Sequence, residues 1–193
     1  MIGNDIIDLS LAKTESNWQR KGFLEKQFTA NEQQLVLEAT NSFVVVWRLW
    51  SMKEAAYKIY TQQHVVRFFA PKKFECKLIS VKEGVVCFES HKFYTKSIVN
   101  KHYIFTKASL EKEMRSYSEM VSPHEIDKMI KEKLKDITAC SISGIVQKKS
   151  KNGAPNYYYN KSPLIKSCSI SHHGNYGVFS IIEPKPTHST LSK

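Results

Sequence analysis

The sequence predicts an α+β fold, mainly antiparallel sheet packed on one long helix, and three observations carry it. An uninterrupted helix-forming window runs through the middle of the N-terminal half, free of Gly and Pro over residues 43–61. Beyond Thr61, short stretches rich in Val, Ile, Phe and Tyr alternate with polar breaks, as in antiparallel sheet. No Gly-x-Gly-x-x-Gly or Gly-x-x-x-x-Gly-Lys-Ser/Thr loop is present, which removes the dinucleotide-binding and P-loop folds.

Met1 to Leu9 reads as a short strand in which apolar residues bracket Asp5 and Asp8. Gly3 within it lets another backbone or a ligand come close. Asp is depleted in strands, so Asp5 is either a turn or N-cap carboxylate near Ser10 or a metal ligand. Residues 11–26 are polar and weakly helical, with Trp18 and Phe23 as anchors. Thr29 and Glu32 have capping-box spacing and open a helix through about Ala39. The long helix then runs from Asn41 to Tyr60. Its β-branched start, Val44-Val45-Val46, favours strand, but Asn41 and Ser42 are good N-caps and the Ala-rich second half favours helix.

Strands are expected over 68–80, 84–90, 92–97 and 102–108. Ser122-Pro123-His124-Glu125 opens a basic helix through about Asp136, with Ser122 at N-cap and Pro123 at N1. Its lysines surround the helix, which makes it a solvated element. Strands return over 139–147, 155–159, 167–171 and 176–182, and a polar tail fills 184–193. The expected organisation is one domain over 1–183 with an enlarged middle region, 61–149, and no internal repeat.

With 193 residues the chain can bury a good core. No apolar run approaches bilayer length and no basic-then-apolar leader opens the chain, so a cytoplasmic protein without membrane contact is expected. Cys76, Cys87, Cys140 and Cys168 are scattered without Cys-x-x-Cys spacing, so neither a disulfide framework nor a zinc site is indicated. A net charge of +11 implies an acidic partner without choosing among nucleic acid, membrane, phosphorylated ligand and acidic protein.

The stretch Arg48 to Lys58 places a carboxylate and ammonium groups inside an apolar helical window. At about 100° per residue Ser51, Glu54 and Lys58 share one stripe, while Leu49, Met52, Ala55, Ala56 and Ile59 share another. Taken alone, Glu54 and Lys58 would be an ordinary i,i+4 surface pair worth roughly 0.2–0.5 kcal/mol. Two further stretches change that reading. Asp5 supplies a second hard oxygen ligand, and Ser169-Ile170-Ser171-His172-His173-Gly174 ends a strand in hydroxyls and imidazoles suited to phosphate or carboxylate. Two carboxylates, a lysine and a histidine suit magnesium with a polyphosphate.

These stretches resemble the 4'-phosphopantetheinyl transferases. Gly3-Asn4-Asp5 is similar to the family's Gly-x-Asp motif, and Trp50-Ser51-Met52-Lys53-Glu54-Ala55-Ala56-Tyr57-Lys58 to its Trp/Phe-Ser/Thr-x-Lys-Glu-Ala-x-x-Lys motif, 45 positions on. Ser169 to His172 resembles the Ser-x-Ser-His strand, and Asn152-Gly153-Ala154-Pro155 the Gly-Lys-Pro turn before it, with Ala154 where the family often has Lys or Arg. The likeness covers residues 1–60 and 150–182, in the motif order of the short, single-unit holo-acyl-carrier-protein synthases.

The resemblance implies transfer of 4'-phosphopantetheine from coenzyme A to a serine of an acidic apo acyl or peptidyl carrier protein, magnesium-dependent, with 3',5'-ADP released. Asp5, Glu54 and Lys58 would be catalytic, with Asp5 and Glu54 holding the metal and Asp8 left open. Arg48, Lys53, Lys58, Ser171 and His172 would contact coenzyme A. The short relatives imply a homo-oligomer, a trimer, in which His172 faces a neighbour's Asp5 and Glu54. Two rivals remain: a basic single-stranded nucleic-acid-binding module, suggested by charge and by Tyr157-Tyr158-Tyr159, in which Asp5 and Glu54 would repel the ligand; and a catalytically silent relative that only docks carrier proteins.

Overall fold

The computed structural model describes residues 1–64, 68 and 70–183. Strand β1 (Ile2–Asp8) is followed by three short helices, α1 (Leu9–Glu15), α2 (Phe23–Gln27) and α3 (Ala30–Leu37), and then by the long α4 (Ser42–Gln63). Strands β2 (Glu75–Leu78), β3 (Glu83–Phe88), β4 (His91–Val99) and β5 (Tyr103–Ser109) complete an antiparallel five-stranded sheet in the order β1-β5-β4-β3-β2. The remaining elements are β6 (Ser116–Val121), α5 (Ile126–Thr138), β7 (Ile145–Lys149), β8 (Pro155–Tyr159), β9 (Ser162–Pro163), β10 (Cys168–His173) and β11 (Tyr176–Ile182). They form two antiparallel sheets of three strands, β10-β11-β6 and β7-β8-β9. The α+β expectation holds.

The local signals explain most of these elements. Thr29 and Glu32 make the predicted capping box. Asn41 Oδ1 accepts from the Val44 amide at 3.2 Å and starts α4 where the sequence places it. The β-branched run stays helical because tertiary packing outweighs its propensity: Val46 is buried in the core, and Phe43, Val44 and Val45 pack against it.

Three expectations are corrected and one strand is added. Of the strand expected over 68–80, only Glu75–Leu78 is extended; Pro71–Lys73 is a 3-10 turn, because Pro71 has no amide to give to a ladder, and residues 65–67 and 69 lie outside those described. Pro123–Glu125 is also a 3-10 turn and Ser122 makes no side-chain cap, so α5 starts at Ile126. Strand β6 was not foreseen, since Ser116-Tyr117-Ser118-Glu119 has little strand-like patterning. Of the stretch 139–147 only the end joins β7, after a 3-10 turn at Ile142–Gly144. The expected tail, 184–193, lies outside the described residues.

Each main sheet covers its own core. Helix α4 lays Leu49, Met52, Ala55, Ala56 and Ile59 on the five-stranded sheet, and α5 lays Ile126, Ile130 and Leu134 on β11 and its neighbours. Each Leu, Ile or Met among them contributes roughly 1.5–3 kcal/mol by leaving water, and each alanine less. Ile6, Phe105 and Val178, from β1, β5 and β11, form a third, smaller cluster.

The two sheets also share a plan that the sequence does not display as a repeat. In each, a first strand pairs with the last strand of the unit, which forms a hairpin with the strand before it: β1-β5-β4 and β6-β11-β10. A helix follows the first strand's segment in both, α4 in one and α5 in the other.

Edge strands β1 and β10 run side by side in the same direction, joined by side chains instead of a ladder. The amides of Ile2 and Asn4 donate to Ser167 Oγ and Ser169 Oγ at 3.0 and 2.9 Å, and that of Asp8 donates to His173 Nδ1 at 2.8 Å. Asn4 Nδ2 donates to the Ser169 carbonyl and to Ser180 Oγ, and Ser169 Oγ donates to Asn4 Oδ1. The seam thus satisfies otherwise orphaned backbone groups and fixes the register of the two sheets. No helix among the described residues is long and apolar enough to cross a membrane.

Candidate active site

Gly3 sets the approach of β1 to α4. A Cβ there would stand 2.0 Å from the Ala55 carbonyl oxygen, so only glycine lets the strand lie on the helix. Two residues on, alternation points Asp5 at the same helix, beside Ser51, Glu54 and Lys58. The Gly-x-Asp spacing is therefore a packing requirement and an aiming device at once.

The Asp5 carboxyl is poorly compensated. Oδ2 is buried without a hydrogen-bond partner, and Oδ1 lies 3.6 Å from Lys58 Nζ. Burial, with a smaller push from the Glu54 carboxylate, raises its pKa to about 7, against the pull of Lys58. Ser51 is close enough to temper that rise, yet its buried Oγ makes no hydrogen bond of acceptable geometry. Burial also raises Glu54, again against Lys58. Both carboxyls thus resist ionisation in this setting, which a divalent cation would reverse. That is the donor set magnesium takes, one or two carboxylates with the remaining positions left to water and phosphate, so Asp5 and Glu54 fit it. Among the described residues no group of three or more His, Cys, Asp or Glu side chains is gathered at metal-binding range.

Lys58 Nζ donates to the carbonyls of Asn4 (2.7 Å) and Ile170 (3.3 Å), which ties α4 to both strands of the seam. The surface pair between Glu54 and Lys58 suggested by their i,i+4 spacing is absent from the ion pairs among the described residues; Lys58 turns to Asp5 instead.

Glu54 stands where two clefts meet. One, of about 550 Å³, is lined by Asp5, Glu15, Arg20, Trp47, Trp50, His172 and His173 among others. The other, of about 310 Å³, is lined by Tyr57, Lys58, Thr61, Gln62 and the turn from Asn152 to Pro155. His172 therefore shares a cleft with Asp5 and Glu54 of its own chain, where the expectation was that it faces those of a neighbour. Ser171 Oγ is buried without a partner, in phase with Ser167, Ser169 and His173 on the β1-facing side of β10.

Two assignments change, and Asp8, which the resemblance leaves open, has a structural place. Lys53 lines neither of these clefts: it is 1% exposed, and its ammonium lies 2.7 Å from Glu32 and donates to the carbonyls of Pro71 and Phe74. Its charge is consumed in holding α3, α4 and the turn before β2 together. Arg48 is likewise buried, its Nη2 donating to the carbonyls of Ser80 and Glu83 at the β2–β3 turn. Asp8 is the N-cap, accepting from the amides of Ser10 and Leu11, with Asn175 donating to its other oxygen. Gly174, at φ +56°, brings the β10–β11 turn so close that a Cβ would meet Asp8 Oδ2 at 2.4 Å. The turn carboxylate near Ser10 is Asp8, which leaves Asp5 for the cleft.

Sequence reasoning missed Arg20, Trp47 and Gln62 as lining residues, and the role of Asn4. It also missed the task of His173, which accepts from Asp8 at Nδ1 and so carries its proton on Nε2, 3.3 Å from Glu15. A signal was present for the seam: Ser167, Ser169, Ser171 and His173 alternate along one strand, a polar face where an apolar one is usual.

The family model for the 4'-phosphopantetheinyl transferase superfamily matches residues 1–113, the span carrying Asp5, Glu54 and Lys58. None of the curated proteins compared matches the sequence. Among solved structures the chain is similar to the holo-[acyl-carrier-protein] synthase (AcpS) of Thermotoga maritima, 14% identical over 84% of this chain and 83% of that chain, with a TM-score of 0.44. That likeness is too slight to carry an argument about this chain.

Proposed function

The chain belongs to the 4'-phosphopantetheinyl transferase superfamily, and on that premise we propose that it transfers the 4'-phosphopantetheine of coenzyme A to a serine of an acidic apo acyl or peptidyl carrier protein. The reaction depends on magnesium and releases 3',5'-ADP. One observation carries the reading: the unpartnered, buried carboxyl oxygen of Asp5 beside Glu54 and Lys58, where two clefts meet. A transfer between two large substrates requires such a junction.

The serine oxygen forms a bond to the β-phosphorus as the bond from that phosphorus to the 3',5'-ADP oxygen breaks, and the serine proton must leave. Magnesium held by Asp5 and Glu54 would act as a Lewis acid on the coenzyme A pyrophosphate. Lys58, fixed by two carbonyls and directed at Asp5, is positioned to offset charge growing on the transferring phosphoryl. Glu54, with its proton affinity raised by burial, suits acceptance of the serine proton. His172, exposed on the wall of the larger cleft, and Ser171, buried behind it, offer donors to phosphate oxygens. The charge of +11 would steer an acidic carrier toward the clefts.

A nucleic-acid module remains the weaker reading, because two carboxyls in the groove would repel a phosphate backbone. The test is release of 3',5'-ADP from coenzyme A in the presence of magnesium and an apo acyl carrier protein, with Glu54→Gln as control. Release that needs both the carrier and Glu54 supports the proposal. No release with several carriers, together with protection of a single-stranded oligonucleotide at physiological salt, would favour the alternative.

A further inference from the structure

We propose that Lys96, Lys107 and Lys112, with Tyr94, Ser109 and Ser116, form a binding site for a single tetrahedral oxyanion of the phosphate type, on the face of the five-stranded sheet opposite α4. The site is separate from the Asp5–Glu54 junction and does not rest on the function proposed above.

Alternation places these groups. Phe93, Thr95 and Ser97 of β4 and Ile104, Thr106 and Ala108 of β5 are buried, with Phe93, Ile104 and Ala108 in the core under α4, so Tyr94, Lys96, Lys107 and Ser109 point the other way. In the antiparallel register Lys96 stands directly opposite Lys107, and Tyr94 opposite Ser109. Like charges facing each other across a sheet repel, and a sheet without use for them would place an acid at one of the two positions.

The neighbours compensate only one of the pair. Lys96 reaches Glu83 at 4.0 Å and Glu113 at 3.8 Å. Lys107 is half-buried, and among the described residues it has no carboxylate within 4.0 Å; its ammonium donates to the neutral Ser116 Oγ at 2.8 Å. Burial and the nearby Lys96 both lower its pKa, as expected of a cation short of an anion. Beside it opens a cavity of about 60 Å³, lined among others by all three lysines, both serines and Tyr94, and also by Glu83, whose carboxylate lies 4.0 Å from Lys96. That is several times the ~10–15 Å³ one water needs, and far too small for a nucleotide. The Ser109 and Ser116 hydroxyls already donate to the carbonyls of Glu111 and Met114, so the ammonium groups that line so small a space supply the donors, and they suit a compact, multiply charged acceptor.

The test is calorimetric titration of inorganic phosphate into metal-free protein at constant ionic strength, with sulfate as competitor. One saturable phosphate per chain is expected, displaced by sulfate. Lys107→Met should weaken binding by at least about tenfold, and Lys112→Met should weaken it as well. Lys58→Met, at the active site, and Lys128→Met, on α5, should bind as the wild type. In phosphate-free buffer Lys107→Met should melt no lower than the wild type, and phosphate should raise the melting temperature of the wild type more than that of Lys107→Met. Absence of saturable binding, wild-type affinity in Lys107→Met, or loss in Lys58→Met instead would each overturn the proposal.

Discussion

Replacing Asp5 with asparagine should stabilise the metal-free protein at neutral pH, and the size of the effect follows from the site. The Asp5 carboxyl titrates near 3.8 when unfolded and at about 7 when folded, chiefly through burial. Between those values the unfolded chain has already released the proton that the folded chain retains. The wild type therefore loses stability as pH rises from about 4 to about 7, and the loss is complete above 7. The interval corresponds to roughly 4 kcal/mol. The amide of Asp5→Asn cannot ionise, so the variant escapes this loss while sharing every other titration except the coupling to Glu54 and Lys58. Urea unfolding of both proteins at pH 4 and pH 8, with chelator present, reads the difference directly. The variant should gain on the wild type by a few kcal/mol between the two pH values. Magnesium at pH 8 should then narrow the gap by stabilising only the wild type. A gap independent of pH, or one that widens toward acid, would refute the assignment of a poorly compensated carboxyl to Asp5.

Lys53→Met should cost about 3–5 kcal/mol by leaving Glu32 charged and buried, without raising the KM for coenzyme A in whatever protein remains folded, as denaturation and steady-state kinetics would show. Gly3→Ala, which forces a methyl into the Ala55 carbonyl, should destabilise by at least about 1–3 kcal/mol and abolish transfer together with magnesium binding. Asp8→Ala should lose about 0.5–2 kcal/mol as a helix cap is removed, with magnesium affinity unchanged by calorimetry, since Asp8 serves α1 and the β10–β11 turn.

What the sequence made legible was whatever depends on neighbours in the chain. The capping box at Thr29 and Glu32, the start of α4 at Asn41 and the shared stripe of Ser51, Glu54 and Lys58 are local, and they stand as expected. Gly3 was readable as a point of close approach, though not as an approach to Ala55. What escaped depends on distant partners. Lys53 and Arg48 sit in the same window as Glu54 and carry the same kind of charge as Lys58; only the positions of Glu32 and of the carbonyls at Pro71, Phe74, Ser80 and Glu83 decide that they are structural. The seam between β1 and β10 joins residues about 165 apart, and so does the meeting of His172 with Asp5 in one cleft. The like plan of the two sheets is a matter of strand order, which no sequence period records.

The central claim is that one chain assembles a complete transfer site around Asp5 and Glu54. Its most direct test is intact-mass spectrometry of an apo acyl carrier protein incubated with coenzyme A, magnesium and a dilution series of this protein, beside Glu54→Gln. The account predicts a gain of one phosphopantetheine per carrier, at a rate proportional to chain concentration down to dilutions where light scattering reports a monomer, and no gain with the variant. A gain with Glu54→Gln equal to that of the wild type, or a wild-type rate per chain that collapses on dilution to the monomer, would contradict it.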